Sequence, residues 1–541
     1  MNGLDRTQRL ASALRRLQTG RWSYAEAESR AMVSTNPADI EALLLLGLAI
    51  AATGEASRAA PVLERVARAR PNHAHPCHDL SELRPPVSTA LIARQYRACL
   101  RLAPNDLRLR RQFGEFLLDN DMPVDAVAVL RDALGTAVTH NLMGLALAET
   151  GAFTDAIAYF SKAVELDPAP AGGWSNLGLV LKVEGRFDEA IAAYDEAVSR
   201  SPRDARIRVN RAVALLRAGR WMDAWKDYEW RLRLPDHQPL PASQLLPVLD
   251  TIEDLHGVRI LATHEDGFGD TLQFMRYLPL LAERGAVVYA VVPTPLMRLV
   301  ATLPGVTVVQ DPGVLPEYDF HCPFFSLPRA FQTTIDTIPN QPYLHADPEQ
   351  AAYWASALPA DGLRVGLVWA GQARPWVSGF STLDSRRSAR LAAFAPLASV
   401  RGTHLISLQT GPAARQADPP PCDMTVLDAM GAVEDFADTA AIIANLDVVV
   451  SVDTSVVHLA GALGKKVLLL DRYDNCWRWL SGRNDSPWYP DLTIFRQDRI
   501  HDWSGPMARI VGALTAMAAF RGQDAAEFRP SRPHPALADA A

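Results

Sequence analysis

The sequence predicts an α + α/β protein: an all-α array of helical repeats over residues 1–232, followed by two Rossmann-like α/β lobes. Three observations predict it. A motif recurs at 34-residue spacing in the N-terminal half, and short β-branched runs alternate with helical stretches in the C-terminal half. Between them lies a Pro-rich segment, LPDHQPLPASQLLP. At 541 residues the chain is too long for a single core, so several domains are expected.

The repeats come first. GAFTDAIAYFSKAVELDP (151–168) is followed by GRFDEAIAAYDEAVSRSP (185–202), and a third copy begins GRWMDAWKDYEWRL at 219. Gly151, Gly185 and Gly219 lie 34 residues apart, as do Ala156, Ala190 and Ala224, and Pro168 and Pro202 keep the same interval. The pattern returns as Gly20, Ala25 and Pro37, then as Gly54, Ala59 and Pro71, with degraded copies near 87–104 and 121–138. A two-helix unit suits this spacing. Gly and Ala let paired helices approach, Phe153, Phe187 or Trp221 fills the contact, and Pro closes the second helix. The array closely resembles the tetratricopeptide repeat over about residues 10–232. That resemblance implies a right-handed superhelix, read either as a stacking scaffold or as a groove for an extended peptide.

Composition narrows the function. A net charge of −7 and a pI near 6.0 give no electrostatic reason to bind nucleic acid or an anionic membrane. Five scattered cysteines, Cys77, Cys99, Cys322, Cys422 and Cys476, form no C-x-x-C pair. They fit a reducing compartment rather than a zinc site or a disulfide framework. The charged, amphipathic N-terminus lacks the apolar core of a signal peptide, and no apolar run reaches membrane-span length. A cytoplasmic location is expected. Residues 521–541, rich in Ala, Pro and charge, read as a disordered tail.

Past a linker over 233–251, strand-like runs alternate with helices: VRILATHE, VVYAVV and VTVV, then LRVGLVWAG, THLISLQ, DVVVSVD and KKVLLL. This alternation predicts parallel sheets with crossover helices. The Pro-punctuated stretch IPNQPYLHADPEQ separates a first lobe at 252–345 from a second within 346–520, whose last helix, 504–520, is placed to cross back. Ligands of such sheets sit beyond the carboxyl ends of the strands, so residues following strands are the candidates.

After RILATHE comes DGFGDTLQF. Gly267 and Gly269 permit a tight turn and close backbone approach. Asp270 reads either as a helix cap or as a carboxylate facing the cleft as general base. After VGLVWAG, a polar loop carries Asp384, Arg386, Arg387 and Ser388, either a phosphate clamp or a solvated charge run. Ser407 and Gln409 close LISLQTG, where they meet a nucleotide base or sugar or form a plain turn. Asp453, Thr454 and Ser455 follow DVVVSV and open a helix whose amides and dipole favour an anion. His458 stands one turn in, either leaning toward that mouth or lying in the core bonded to a carbonyl. The aromatic segment DRYDNCWRWLSGRNDSPWYP, 471–490, either binds or caps.

Together HEDGFGDTLQFMRYLPLL, VGLVWAG, SVDTSVVHLAGALGKKVLLL and WRWLSGRNDSPWYP resemble the bacterial tetratricopeptide-repeat glycosyltransferases. Their catalytic half is similar to lipopolysaccharide heptosyltransferases, and their layout to O-linked N-acetylglucosamine transferases. The resemblance implies the GT-B fold, two Rossmann-like lobes with a nucleotide sugar between them. It places Asp270, in its G-x-G-D motif with Gly267 and Gly269, as the base that deprotonates an acceptor hydroxyl. It places Asp453, Thr454, Ser455 and His458 on the nucleotide diphosphate and ribose, with Asp453 the ribose or loop-fixing contact. The chain departs from the pattern at QARPWVSGFSTLDSRRS, which lacks a lysine and keeps only Arg387 and Ser388, and at LDRYDN, where relatives carry a Pro-containing segment.

The implied reaction is a metal-independent inverting displacement, with the nucleotide sugar as donor substrate and no cofactor. The sole D-x-D, Asp119–Asp121, lies in the repeat half. Three readings of the whole follow. The acceptor is a protein Ser or Thr chosen by the repeats, or it is a polysaccharide or lipid-linked sugar, or the transferase half has lost catalysis and the chain is an interaction scaffold. The sugar, the nucleobase and the oligomeric state stay open.

Overall fold

The computed structural model describes residues 3–53, 55–69, 89–102, 104–235, 240–372 and 386–520. The expected tail, 521–541, lies outside the described residues, as do Gly54, Pro71, Cys77 and residues 373–385. Contacts divide the chain into two compact units, Met1–Glu184 with Ala192–Pro202, and Gly185–Ile191 with Arg203–Ala541. The boundary therefore falls inside the repeats, not at 232/233 as the repeat pattern predicts.

The first unit is built of consecutive helices, among them Ile40–Ala52, Leu107–Asp119, Ala137–Glu149, Phe153–Leu166 and Ala171–Val183. Asp39 and Asp106 accept backbone N–H bonds from Ala42 and Leu109 and cap their helices. Two sets of glycines divide the work that the sequence pattern assigns to one. Gly20 and Gly151 have φ of +77° and +84° and turn the chain between helices. Close approach belongs to Gly144 and Gly178, where a Cβ would stand 2.7 Å from Phe160 and 2.9 Å from Tyr194. Gly47 and Gly114 meet Leu63 and Leu130 in the same way.

In the second unit, helices Ala205–Arg217 and Trp221–Tyr228 precede two parallel sheets. The first sheet holds β1 (Arg259–Thr263), β2 (Val287–Val291), β3 (Val306–Val308) and β4 (Phe320–Pro323), in the order β3-β2-β1-β4. The second holds β5 (Leu363–Val368), β6 (Thr403–Ser407), β7 (Val426–Asp428), β8 (Val448–Val452), β9 (Val467–Asp471) and β10 (Leu492–Arg496), in the order β10-β9-β8-β5-β6-β7. The seven runs read from the sequence are strands. The three it does not signal, β4, β7 and β10, are all edge strands. With one neighbour each, they need no continuous apolar run. Chain order reverses at β5, which lies between β8 and β6; open α/β sheets place their ligands beyond the carboxyl ends of the strands at such a switch point.

Two connecting expectations change. Helix Ser504–Phe520 covers the second sheet rather than crossing back, because Met507, Ile510 and Leu514 share a core with Val450, Leu468 and Leu470. The 233–251 linker lies along the edge of β4, where Leu246 N–H donates to the His321 carbonyl at 2.8 Å. Leu246 and Leu249 are buried there. Residues 236–239 lie outside the described residues. No described helix is long and apolar enough to cross a membrane.

The last repeat belongs to the second unit because its tryptophans pack there. Trp221 stacks on Trp488 (5.6 Å between centroids, 20°) and meets Trp225 and Trp477 edge-on. Trp225 Nε1 donates to the Thr333 carbonyl at 2.8 Å. Buried Arg231 pairs with buried Glu265, and Arg217 donates to Asn475 at 2.6 Å. Truncating one large buried aromatic costs about 3–5 kcal/mol. Trp221→Ala is accordingly expected to lower the unfolding free energy of the second unit by that much. A fragment beginning at 203 is expected to unfold cooperatively, and one beginning at 233 is not; circular dichroism during denaturation reads both.

Candidate functional site

The chain leaves β1 through His264, Glu265 and Asp266. Asp266, not a glycine, takes the left-handed turn (φ +53°). Glu265 is held by Arg231. His264 Nδ1 lies 2.6 Å from Thr271 Oγ1. Gly267 then caps helix Phe268–Phe274 in an extended conformation (φ −99°).

Asp270 is the third residue of that helix. Its Oδ2 accepts the Gly267 N–H at 3.1 Å, a capping contact, and its Oδ1 accepts from Arg478 Nη2 at 2.5 Å. Arg478 Nε also donates to Gln273 at 2.5 Å. The Asp270 side chain keeps 22 % of its surface exposed. Burial pushes its pKa above the usual carboxylate value, Arg478 opposes the rise, and the charges of Asp266 and Asp453 add to it.

In the second lobe, Thr454 stands at the N-cap of helix Ser455–Ala462, but its hydroxyl does not cap. It lies 3.1 Å from Ser451 Oγ instead. Val457 N–H donates to the Thr454 carbonyl at 3.1 Å, while the amides of Ser455 and Val456 come before any acceptor of their own helix. Asp453 is half-buried, and its charge raises the pKa of both Asp270 and Asp471. Asp471, at the end of the neighbouring strand, is pushed up to about 6 by burial, with Arg496 drawing it back.

The two helices meet without clearance. A Cβ on Gly269 would lie 2.9 Å from His458 Cδ2 and 3.3 Å from Ser455 Cα. Gly269 thus permits close approach of the other lobe. His458 does not lean into the mouth. It is 4 % exposed, its Nδ1 lies 3.0 Å from the Tyr489 hydroxyl, and its ring stacks on Trp479 (5.4 Å, 18°). Burial, Arg478 and Arg276 hold its pKa well below the usual imidazole value, so it is neutral at neutral pH. Of its two sequence readings, the structure shows a core histidine, with a tyrosine for partner instead of a carbonyl.

The remaining candidates gather where β5 and β6 end. The Gln409 amide is bonded to the backbone. Its Oε1 accepts from Trp369 N and Ala370 N, and its Nε2 donates to the carbonyls of Ala370 and Thr410. It clamps the two strand exits together. Ser388 Oγ accepts the Gly371 N–H at 3.1 Å, and the Arg387 guanidinium lies against Gly371. Arg386 Nη1 lies 3.3 Å from Asp474 Oδ2. Asp384 lies outside the described residues.

Sequence reasoning missed Arg478, Gln273 and Tyr489. It marked segment 471–490 for its aromatics. The structure buries Trp477, Trp479, Trp488 and Tyr489 as a cap. The missed signal was the single cation between two tryptophans, Trp477-Arg478-Trp479.

Residues 137–170 and 175–229 match models of the tetratricopeptide repeat. The chain is 25% identical over 555 aligned residues to Protein FlbA of Caulobacter vibrioides, covering 95% of this chain and 91% of that one. Among solved structures it is similar to MamA, at 25% identity and TM-score 0.26, over 27% of this chain and 87% of that one. It is also similar to the ADP-heptose LPS heptosyltransferase II of E. coli, at 12% identity and TM-score 0.37, over 49% of this chain and all of the other.

Overpacking a tight contact costs about 1–3 kcal/mol. Gly269→Ala is expected to destabilise the second unit by that amount in a chemical denaturation series. Gly267→Ala is expected to cost less, since its φ suits alanine and its nearest neighbour is a side-chain oxygen.

Proposed function

We propose that the chain is a GT-B glycosyltransferase that moves a sugar from a nucleotide-sugar donor to a Ser or Thr hydroxyl of a protein selected by the repeats. The observation that carries this reading is the partly exposed Asp270 carboxylate, raised in pKa, next to Gly269, which abuts the Ser455–Ala462 helix. Burial makes Asp270 a stronger base than a free aspartate, while Arg478 favours its ionised form. In the proposed step the acceptor O–H gives its proton to Asp270 and its oxygen attacks the anomeric carbon. The bond from that carbon to the phosphate oxygen breaks, and the configuration inverts. Negative charge growing on the departing nucleoside diphosphate meets the first-turn amides and the hydroxyls of Thr454 and Ser455. No metal ion has a part in this scheme.

The scaffold reading draws on one observation. Both Asp270 oxygens are already engaged, by Gly267 and by Arg478. Turnover separates the two readings. General-base removal costs about 10²–10⁴-fold in rate, so Asp270→Asn is expected to lose that much transfer while nucleotide binding is kept. Undiminished transfer removes Asp270 from the mechanism, and donor binding without any turnover by the unaltered protein favours the scaffold.

The pH profile gives a second check. With a raised pKa, Asp270 is protonated, and activity lost, as pH falls through a value above that of an ordinary aspartate. Arg478→Gln removes the charge that lowers this pKa, so the acid limb of kcat/KM is expected to move to higher pH. The acceptor class is tested with the fragment 203–541, which is expected to keep donor hydrolysis and to lose protein modification. Retained modification argues against selection by the repeats.

A further inference from the structure

We propose that Arg472 is an anion-binding residue of the second lobe, placed to hold phosphate oxygens of a nucleoside diphosphate. This rests on the transfer reading above, and it names a group that the reading does not use. β8 and β9 run parallel with Val452 opposite Leu470. Continuing that register past the strand ends sets Asp471 beside Asp453 and Arg472 beside Thr454. Both lie at the carboxyl side of the switch point between β5 and β8, where open α/β sheets place their ligands.

Alternation along β9 puts Arg472 on the face of Leu468 and Leu470, and Asp471 on the opposite face. Asp471 there accepts from Arg496 Nε at 2.8 Å. Asp474 has its own partner in Arg386, 3.3 Å away. Arg472 Nε stands 3.6 Å from Asp474 Oδ1, beyond hydrogen-bonding distance.

Arg472 is 9 % exposed, and its Nε and Nη1 have no hydrogen-bond partner. A buried guanidinium with idle N–H groups is costly. The ion pair with Asp474 Oδ1 leaves Nη1 without an acceptor in the chain, and an anion from outside can supply one. Arginine suits phosphate, since its fixed donors match phosphate oxygens. Phosphate oxygens are also what the proposed donor presents at a strand-end crevice.

The test is isothermal titration of the full chain with inorganic pyrophosphate and, separately, with a panel of nucleoside diphosphates. A hydrogen bond to a charged group is worth roughly 1.5–3 kcal/mol, about 10- to 100-fold in affinity. Arg472→Gln is expected to weaken both ligands by that factor, and Arg472→Lys by less. The melting temperature of the free protein is expected to change little in Arg472→Gln, because only a 3.6 Å ion pair with Asp474 is lost. Pyrophosphate is expected to raise it in the unaltered protein and not in Arg472→Gln.

Equal affinity in Arg472→Gln, no binding of either ligand by the unaltered protein, or a markedly lowered melting temperature of free Arg472→Gln would each overturn the inference. Loss of anion binding in Arg472→Gln together with full transfer by Asp270→Asn would keep the anion site and sink the base assignment. The converse pattern would keep the base and sink the anion site.

Discussion

The Arg478 guanidinium reaches out of the second lobe and binds Asp270 and Gln273 on one helix of the first. A buried arginine without its carboxylate would cost about 3–5 kcal/mol, so the two lobes are held at one separation by the need to neutralise this charge. That separation in turn leaves no space above Gly269, where the His458 ring lies. Asp270 consequently has several tasks. It caps its own helix, balances a buried cation and, in the proposed reaction, takes a proton.

Segment 471–490 carries much of this arrangement. Asn475 accepts from Arg217 of the last repeat, and Trp477 and Trp488 receive Trp221 and Trp225. Arg478 holds Asp270, and Tyr489 meets His458. One stretch of chain thus ties a repeat helix pair, the helix Phe268–Phe274 and the helix at the end of β8 together. The last repeat is therefore part of the α/β unit in packing, although its sequence marks it as a repeat.

The repeats show how one periodic signal can hide two physical roles. Among the described residues, the 34-residue glycines that make the pattern visible, Gly20, Gly151, Gly185 and Gly219, are turn residues with positive φ. The glycines that bring helices into contact, Gly144 and Gly178, lie inside helices and face aromatic rings. Both sets need the absence of a side chain, one for conformation and one for space. Sequence spacing does not tell these needs apart, because each recurs once per repeat.

The sequence alone determined the order of elements: the helical array, the seven strand runs, the strand-end position of Asp270 and Asp453–Ser455, and the weight of aromatics in 471–490. These follow from local rules, since period, propensity and the exit of a strand are read within a few residues. Tertiary structure alone decided where the repeat array divides, that His458 and Gln409 point into packing and backbone bonds, and that Arg478 is the partner of Asp270. Each of those contacts joins residues far apart in the chain, and a side chain's free donors and acceptors are known only when its neighbours are. Gln409 illustrates the limit, because its amide is equally suited to a nucleotide and to the four backbone groups that surround it.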